Sequence, residues 1–201
     1  MSKANIYLLR HGEITHTQSL AGCTNFDVTE LGAAQMLSAM GAINFEQCIS
    51  SPLNRCKVAA QQYCQQHQIE LSLDNNIMEM NFGDWDGQAY DALWQLGRPN
   101  IGDFWQSPVK VTPPNGESFE QFVSRVQVFW TNLVNNEKNS DTLIVTHAGV
   151  IKIILALVLS EQHNIEQIEK IVSTISVDYA HVITLSVYKE PNFPAHVQIK
   201  L

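Results

Sequence analysis

Thr142-Leu-Ile-Val-Thr-His-Ala-Gly149 decides the fold. Its first five residues form a continuous apolar run, the pattern of a strand covered on both faces rather than one. Such a strand needs neighbours beside it and helices above and below. Working outward, Asn5-Ile-Tyr-Leu-Leu-Arg10 reads as a second buried strand, and Cys48-Ile-Ser50 as a weaker one between helical patterns. Val182 to Tyr188 and Val197 to Ile199 read as late strands of a hairpin turning at Pro191 to Pro194. Thr29 caps a helix to about Met40, and Pro52 suits the first turn of another that reaches about Gln66. Ser118 and Gln121 form a capping box ahead of Phe119, Phe122, Val123, Val126, Phe129, Trp130, Leu133 and Val134, one apolar face at helical spacing. The alternation predicts an α/β fold, a three-layer sandwich with a mainly parallel central sheet flanked by helices. Residues 83–117, with Gly, Pro and three Trp, interrupt it as an inserted excursion within a single domain spanning 1–201.

Composition excludes several classes. The 201 residues carry 12 Lys+Arg against 20 Asp+Glu, a formal charge of −8, and no basic cluster, so neither nucleic acid nor an acidic membrane is an expected partner. Only 16% are charged, with 16 Gln and 15 Asn supplying the remaining polarity. The longest apolar run, Ile153 to Leu159, is far short of the ~20 residues that span a bilayer. The opening Met-Ser-Lys-Ala-Asn-Ile-Tyr lacks the features of a secretory signal. Cys23, Cys48, Cys56 and Cys64 show no C-x-x-C spacing and read as small apolar fillers kept reduced, so a cytoplasmic location is expected.

Three segments that follow predicted strands concentrate the chemistry: Arg10-His11-Gly12-Glu13, Ser50-Ser51-Pro52-Leu53-Asn54-Arg55 and Thr146-His147-Ala148-Gly149. Ligands of open α/β sheets sit at the carboxyl ends of strands, so parallel strands would bring two Arg and two His to one edge. Two of the segments run into helices, whose N-terminal N–H groups favour an anion. On an acidic chain this is a phosphoryl site, although a sulfate or carboxylate would also fit. A neutral His there can accept a phosphoryl group if its other ring nitrogen is held, and the Gly12 carbonyl is placed to hold it. The leaving alkoxide needs a proton; Glu79, among the apolar neighbours of Ile77-Met-Glu-Met-Asn-Phe82, is the first candidate donor and Glu13 the second.

These segments, in this order, resemble the histidine phosphatase superfamily in its phosphoglycerate-mutase-like branch, across essentially the whole chain. The resemblance implies that His11 is the phosphorylated nucleophile, that Arg10, Arg55 and His147 form the phosphate pocket, and that Glu79 is proton donor and then base. It also implies no metal and no cofactor. The middle of the chain looks most like the α-ribazole phosphatases, through Glu79-Met-Asn-Phe-Gly-Asp-Trp-Asp-Gly87, Phe104-Trp105-Gln-Ser-Pro108, Pro113-Pro-Asn-Gly-Glu-Ser118 with Arg125, and Gly22-Cys23-Thr24-Asn25. By that likeness the substrate is a small phosphorylated metabolite, α-ribazole 5′-phosphate first, held by Thr17, Cys23, Thr24, Trp85, Trp105, Glu117, Ser118 and Ala148 under a helical or loop insertion over the active site. Another sugar phosphate or phosphoglycerate, turned over by a phosphatase or mutase, is the alternative, and a non-catalytic phospho-ligand binder a third. The insertion holds only Arg98 and Lys110 beside Trp85, Trp94 and Trp105, which suits a flat, partly apolar leaving group better than a mutase's second phosphate. Ile14, Thr17 and Ala59 depart from the usual Thr, Asn and Thr of that family. The oligomeric state is open, a homodimer being one option.

Other suggestive residues have plainer readings. His67, His163, His181 and His196 read as surface or satisfied core positions, and His16 as a solvated loop residue. Asp84 and Asp86 read as an exposed carboxylate pair in a turn rather than a metal site.

Overall fold

The computed structural model of the chain describes residues 2–136, 140–160, 164–190 and 193–200. Its strands are β1 (Ser2–Arg10), β2 (Gln47–Ser50), β3 (Glu70–Leu73), β4 (Thr142–Thr146), β5 (Val182–Lys189) and β6 (His196–Lys200). They form one sheet in the order β3-β2-β4-β1-β5-β6. β4 runs parallel to both β1 and β2, and β2 to β3, while β5 is antiparallel to β1 and β6. The sheet is therefore mainly parallel, and all five residues of β4 are buried, as a central strand requires.

Period-two side chains sort the core into two layers. Leu9, Cys48, Leu143 and Val145 pack against Met36 and Met40 of α1 (Glu30–Gly41) and against Cys56, Ala59, Ala60 and Cys64 of α2 (Asn54–His67). On the opposite face, Ile6, Leu8 and Ile144 belong to the larger cluster. There they join α3 (Tyr90–Trp94), α4 (Ile101–Gln106), α5 (Phe119–Asn135) and α6 (Ala148–Leu159) through Leu93, Phe104, Val126, Phe129 and Ile151. Seven of the twelve residues of α6 are buried, because the helix lies between the sheet and α7 (Ile165–Thr174). Each fully buried Ile or Leu there contributes about 1.5–3 kcal/mol. Thr29 caps α1 by accepting from Gly32 N, and both halves of the Ser118–Gln121 capping box are formed on α5.

Three features differ from the sequence reading. Pro52 lies ahead of α2 rather than in its first turn, because the Leu53 N–H bonds Ser51 Oγ and the Asn54 N–H bonds Asn25 Oδ1, fixing the start at Asn54. Two elements, β3 and α7, were not read from the sequence. β3 is a four-residue, largely exposed edge strand whose pattern is too weak to show. For α7 a signal did exist, in the Asn164 cap followed by Ile165, Ile168, Ile171 and Val172. His163, and part of the turn expected at 191–194, lie outside the described residues. No described helix is long and apolar enough to cross a membrane.

Candidate active site

Strand register assembles the site. Arg10 pairs with Thr146 across the β1–β4 ladder, and Ser50 with Val145 across β2–β4. The next residue of each strand therefore emerges at one edge: the His11 N–H bonds the Thr146 carbonyl at 3.0 Å, and the Ser51 N–H the Val145 carbonyl at 2.9 Å. The rings of His11 and His147 meet edge to face, centroids 5.3 Å apart. Gly12 is required here, since a Cβ would overlap the backbone of Gly32 at the start of α1.

His11 Nδ1 lies 2.7 Å from the Gly12 carbonyl, so it carries the proton and donates it, leaving Nε2 with its lone pair and no hydrogen-bond partner among the described residues. Burial, then the Arg55 guanidinium and more weakly that of Arg10, push the imidazole down to about 3, against the opposing pull of the Gly12 carbonyl. His147, fully buried, is pushed well below the usual histidine range by the same burial and by Arg55. Its Nδ1 accepts from Arg55 Nε at 3.1 Å, so its Nε2–H donates to Ser51 Oγ at 2.8 Å.

A pH dependence follows. The unfolded histidine binds a proton below about 6.5, the native His11 only near 3, so between those values the unfolded chain holds more protons. Stability is complete above about pH 6.5 and falls as pH drops toward 3, with His11 and His147 each contributing up to about 1.4 kcal/mol per pH unit. Urea unfolding at pH 7, 6, 5 and 4 checks this, and imidazole 15N shifts should show His11 neutral down to pH 5. A His11 titration near 6.5 would contradict the reading.

A cavity of about 410 Å³ opens in front of His11, lined by Arg10, His11, Glu79 and Lys152 and by the aromatic rings of Phe82, Tyr90, Phe104, Trp105, Phe119, Phe122 and Tyr179. Glu79 accepts from the Met80 and Gly149 N–H groups, both at 3.1 Å. Gly149 admits that approach because a Cβ there would overlap Glu79 Oε1. Of the five residues proposed for catalysis, Arg10, His11 and Glu79 line the cavity, while Arg55 and His147 lie fully buried behind His11. Arg55, in α2, is held by the loop between β1 and α1: Nη1 donates to the Thr24 carbonyl at 2.8 Å, and Nη2 to the Ala21 and Gly22 carbonyls.

Among the eight residues assigned to the substrate by resemblance, Thr17, Trp105 and Ala148 line this cavity. The other five are not in its wall. Trp85 is 2% exposed and packs on Phe104 in the core, as expected of a large aromatic at the interior end of a turn. Glu117 is an ion-pair partner of Arg125, Oε1 to Nη2 at 2.7 Å, and Ser118 caps α5. Cys23 and Thr24 are fixed through their backbone N–H groups to Asp86, at 2.6 and 2.8 Å. The departures Ile14 and Thr17 are both cavity residues, Ile14 being itself buried. Sequence reasoning missed Lys152, Tyr90, Tyr179 and Glu169 in the wall; two of them come from α7 and the loop after it.

Asp86 is also not the exposed turn carboxylate expected. It accepts from the N–H groups of Gly22, Cys23, Thr24 and Phe82, and the loop it shapes presents the carbonyls that hold Arg55. Replacing it by Asn turns one acceptor into a donor facing those N–H groups. Asp86→Asn is expected to cost about 1–3 kcal/mol, read as a Tm lowered by about 2–4 °C for each kcal/mol. An unchanged Tm would show that the loop is held without it.

Among the described residues no cluster of three or more His, Cys, Asp or Glu side chains is placed to share a metal ion. Two histidines and two arginines are gathered at the carboxyl ends of parallel strands, beside a carboxylate and an aromatic cavity, in an α/β protein whose site chemistry suits an anion. The chain belongs to the histidine phosphatase superfamily, branch 1, whose family model matches residues 6–192. It is 28% identical to a bifunctional protein of Mycobacterium tuberculosis over 160 residues, 77% of this chain but only 44% of that one. The chain thus spans less than half the length of that relative. It is 27% identical over 156 residues to the adenosylcobalamin/alpha-ribazole phosphatase of Escherichia coli, covering 75% of this chain and 77% of the other. In fold it matches the alpha-ribazole phosphatase of Shigella flexneri (TM-score 0.79, 24% identity, 97% of this chain and 95% of that one). It matches a mycobacterial glucosyl-3-phosphoglycerate phosphatase as well (TM-score 0.81, 20% identity, 99% and 98%).

Proposed function

We propose that the protein is a metal-independent phosphomonoesterase working through a phosphohistidine on His11, with α-ribazole 5′-phosphate as its substrate in cobalamin nucleotide-loop assembly. The observation that carries the chemistry is the 2.7 Å contact of His11 Nδ1 with the Gly12 carbonyl, which leaves Nε2 as the free nucleophile at the cavity. Nε2 attacks phosphorus, the ester P–O bond breaks, and the Glu79 carboxylic acid gives its proton to the leaving alkoxide. Glu79, now a carboxylate, takes a proton from water as that water attacks phosphorus. The P–N bond breaks, inorganic phosphate departs and His11 is regenerated. Arg10 and Arg55 supply positive charge throughout, and His147, held between Arg55 Nε and Ser51 Oγ, packs edge to face against the His11 ring.

The α-ribazole assignment is supported by the aromatic wall, suited to a benzimidazole, by a volume within the 300–1,000 Å³ usual for small-molecule sites, and by the Escherichia coli relative. A second reading, a smaller phosphoester bearing another acidic group, is favoured by Lys152: it lines the cavity half-buried, and no ion pair or hydrogen bond engages its ammonium among the described residues. The reading takes the enzyme to be cytoplasmic, supported by four cysteines that are free thiols. The test is phosphate release in EDTA from α-ribazole 5′-phosphate, phosphoserine, phosphoglycerates, sugar phosphates and mononucleotides. A kcat/KM preference for the first supports the assignment, faster turnover of an acidic ester moves the substrate to the second reading, and tight binding without turnover leaves a phospho-ligand binder.

A further inference from the structure

We infer that Tyr179 is a positioning residue for phosphate binding, its ring fixing the guanidinium of Arg10 so that Nε and Nη2 are presented to phosphoryl oxygens; this rests on Arg10 being a phosphate ligand. The Arg10 guanidinium carbon sits 3.8 Å from the centroid of the Tyr179 ring, and the same ring lies 5.7 Å from that of His11. One guanidinium nitrogen, Nη1, is tied to the Val177 carbonyl at 2.6 Å, in the loop between α7 and β5. Arg10 Nε is buried and has no hydrogen-bond partner among the described residues. A buried N–H left unsatisfied is costly, so an oxygen supplied by a ligand is the natural complement.

The loop that carries Tyr179 is stitched to the site by backbone bonds, Arg10 N–H to the His181 carbonyl at 3.1 Å and Ala180 N–H to the His11 carbonyl at 3.2 Å. Ala180 sits at φ 53°, the left-handed turn that follows Tyr179. Two contacts from one loop thus constrain the fork: the Val177 carbonyl fixes one end, and the face of Tyr179 fixes its plane. A planar guanidinium gains from such stacking in a way an ammonium would not. Tyr179 itself is 36% exposed and lines the cavity, so its replacement does not open the core.

The test uses anions that have no leaving group, so that contacts with the rest of a substrate play no part. Inorganic phosphate and orthovanadate are titrated calorimetrically into wild type, Tyr179→Phe and Tyr179→Leu, with thermal melts alongside. Tyr179→Leu should weaken both anions about tenfold at an unchanged melt, while Tyr179→Phe, which keeps the ring, should stay within about twofold of wild type. Equal affinity of Tyr179→Leu and wild type would overturn the proposal. So would equal losses in the two variants, which would assign the effect to the hydroxyl. A wild type that binds neither anion would remove the phosphate-pocket reading of Arg10 and the proposal with it, whereas failure of the Leu variant alone leaves that reading standing.

Discussion

Replacing His11 with alanine is expected to lower kcat by about 10⁴-fold or more while the protein stays folded. The nucleophile is removed outright, and no second imidazole can replace it: His147 has one ring nitrogen accepting from Arg55 Nε and the other bonded to Ser51 Oγ. Neither variant nor wild type gains or loses a large apolar contact, since His11 sits at the cavity rather than in either core layer. Quenching the wild type during turnover of a 32P-labelled ester should trap an acid-labile, base-stable label on the protein, absent from His11→Ala. A folded His11→Ala enzyme with substantial turnover would end the phosphohistidine mechanism for this chain. It would leave the anion site intact and require water to attack directly.

The second large effect is expected at Glu79. Glu79→Gln keeps the size of the side chain but cannot supply or accept the transferred proton, and a loss of about 10²–10⁴-fold is expected on alkyl phosphates. The loss should shrink when the leaving group needs no proton, so p-nitrophenyl phosphate should suffer much less than a sugar or riboside phosphate in the first step. Comparing kcat/KM for the two ester types in wild type and Glu79→Gln reads this directly, because kcat/KM ends at the first irreversible step. Equal losses on both would show that Glu79 serves placement through its bonds to Met80 and Gly149 rather than proton transfer. Gly149→Ala probes the same group from the other side: its new methyl overlaps Glu79 Oε1, and the leaving-group dependence should move in the same direction.

What could be read from sequence was whatever local chemistry dictates. The continuous apolar run at 142–146 gave a central strand, the Ser118–Gln121 pair gave a helix start, and both stand in the structure. The strand ends at Arg10, Ser50 and Thr146 were likewise visible, because each apolar run stops at a residue with chemistry to offer. Short or exposed elements were not legible: four residues of β3 bury too little to leave a pattern. Substrate residues were the least legible. Trp85 and Glu117 sit in motif segments beside cavity residues, yet one packs inward and the other pairs with Arg125. Motif membership says that a residue matters, not which neighbour it serves.

The sequence by itself determined the α/β class and the residue types brought to the strand ends. Only the tertiary structure decided how those residues divide: Arg10, His11 and Glu79 at the cavity, Arg55 and His147 behind them, and Asp86 holding the loop that holds Arg55. It also added Lys152, Glu169 and Tyr179, from segments far along the chain. The physical reason is range. Strand pattern and helix caps are set within a few residues, whereas a cavity wall, the burial that drives His11 to about 3, and the stacking of Arg10 on Tyr179 arise only when β1, β4 and the loop after α7 pack side by side.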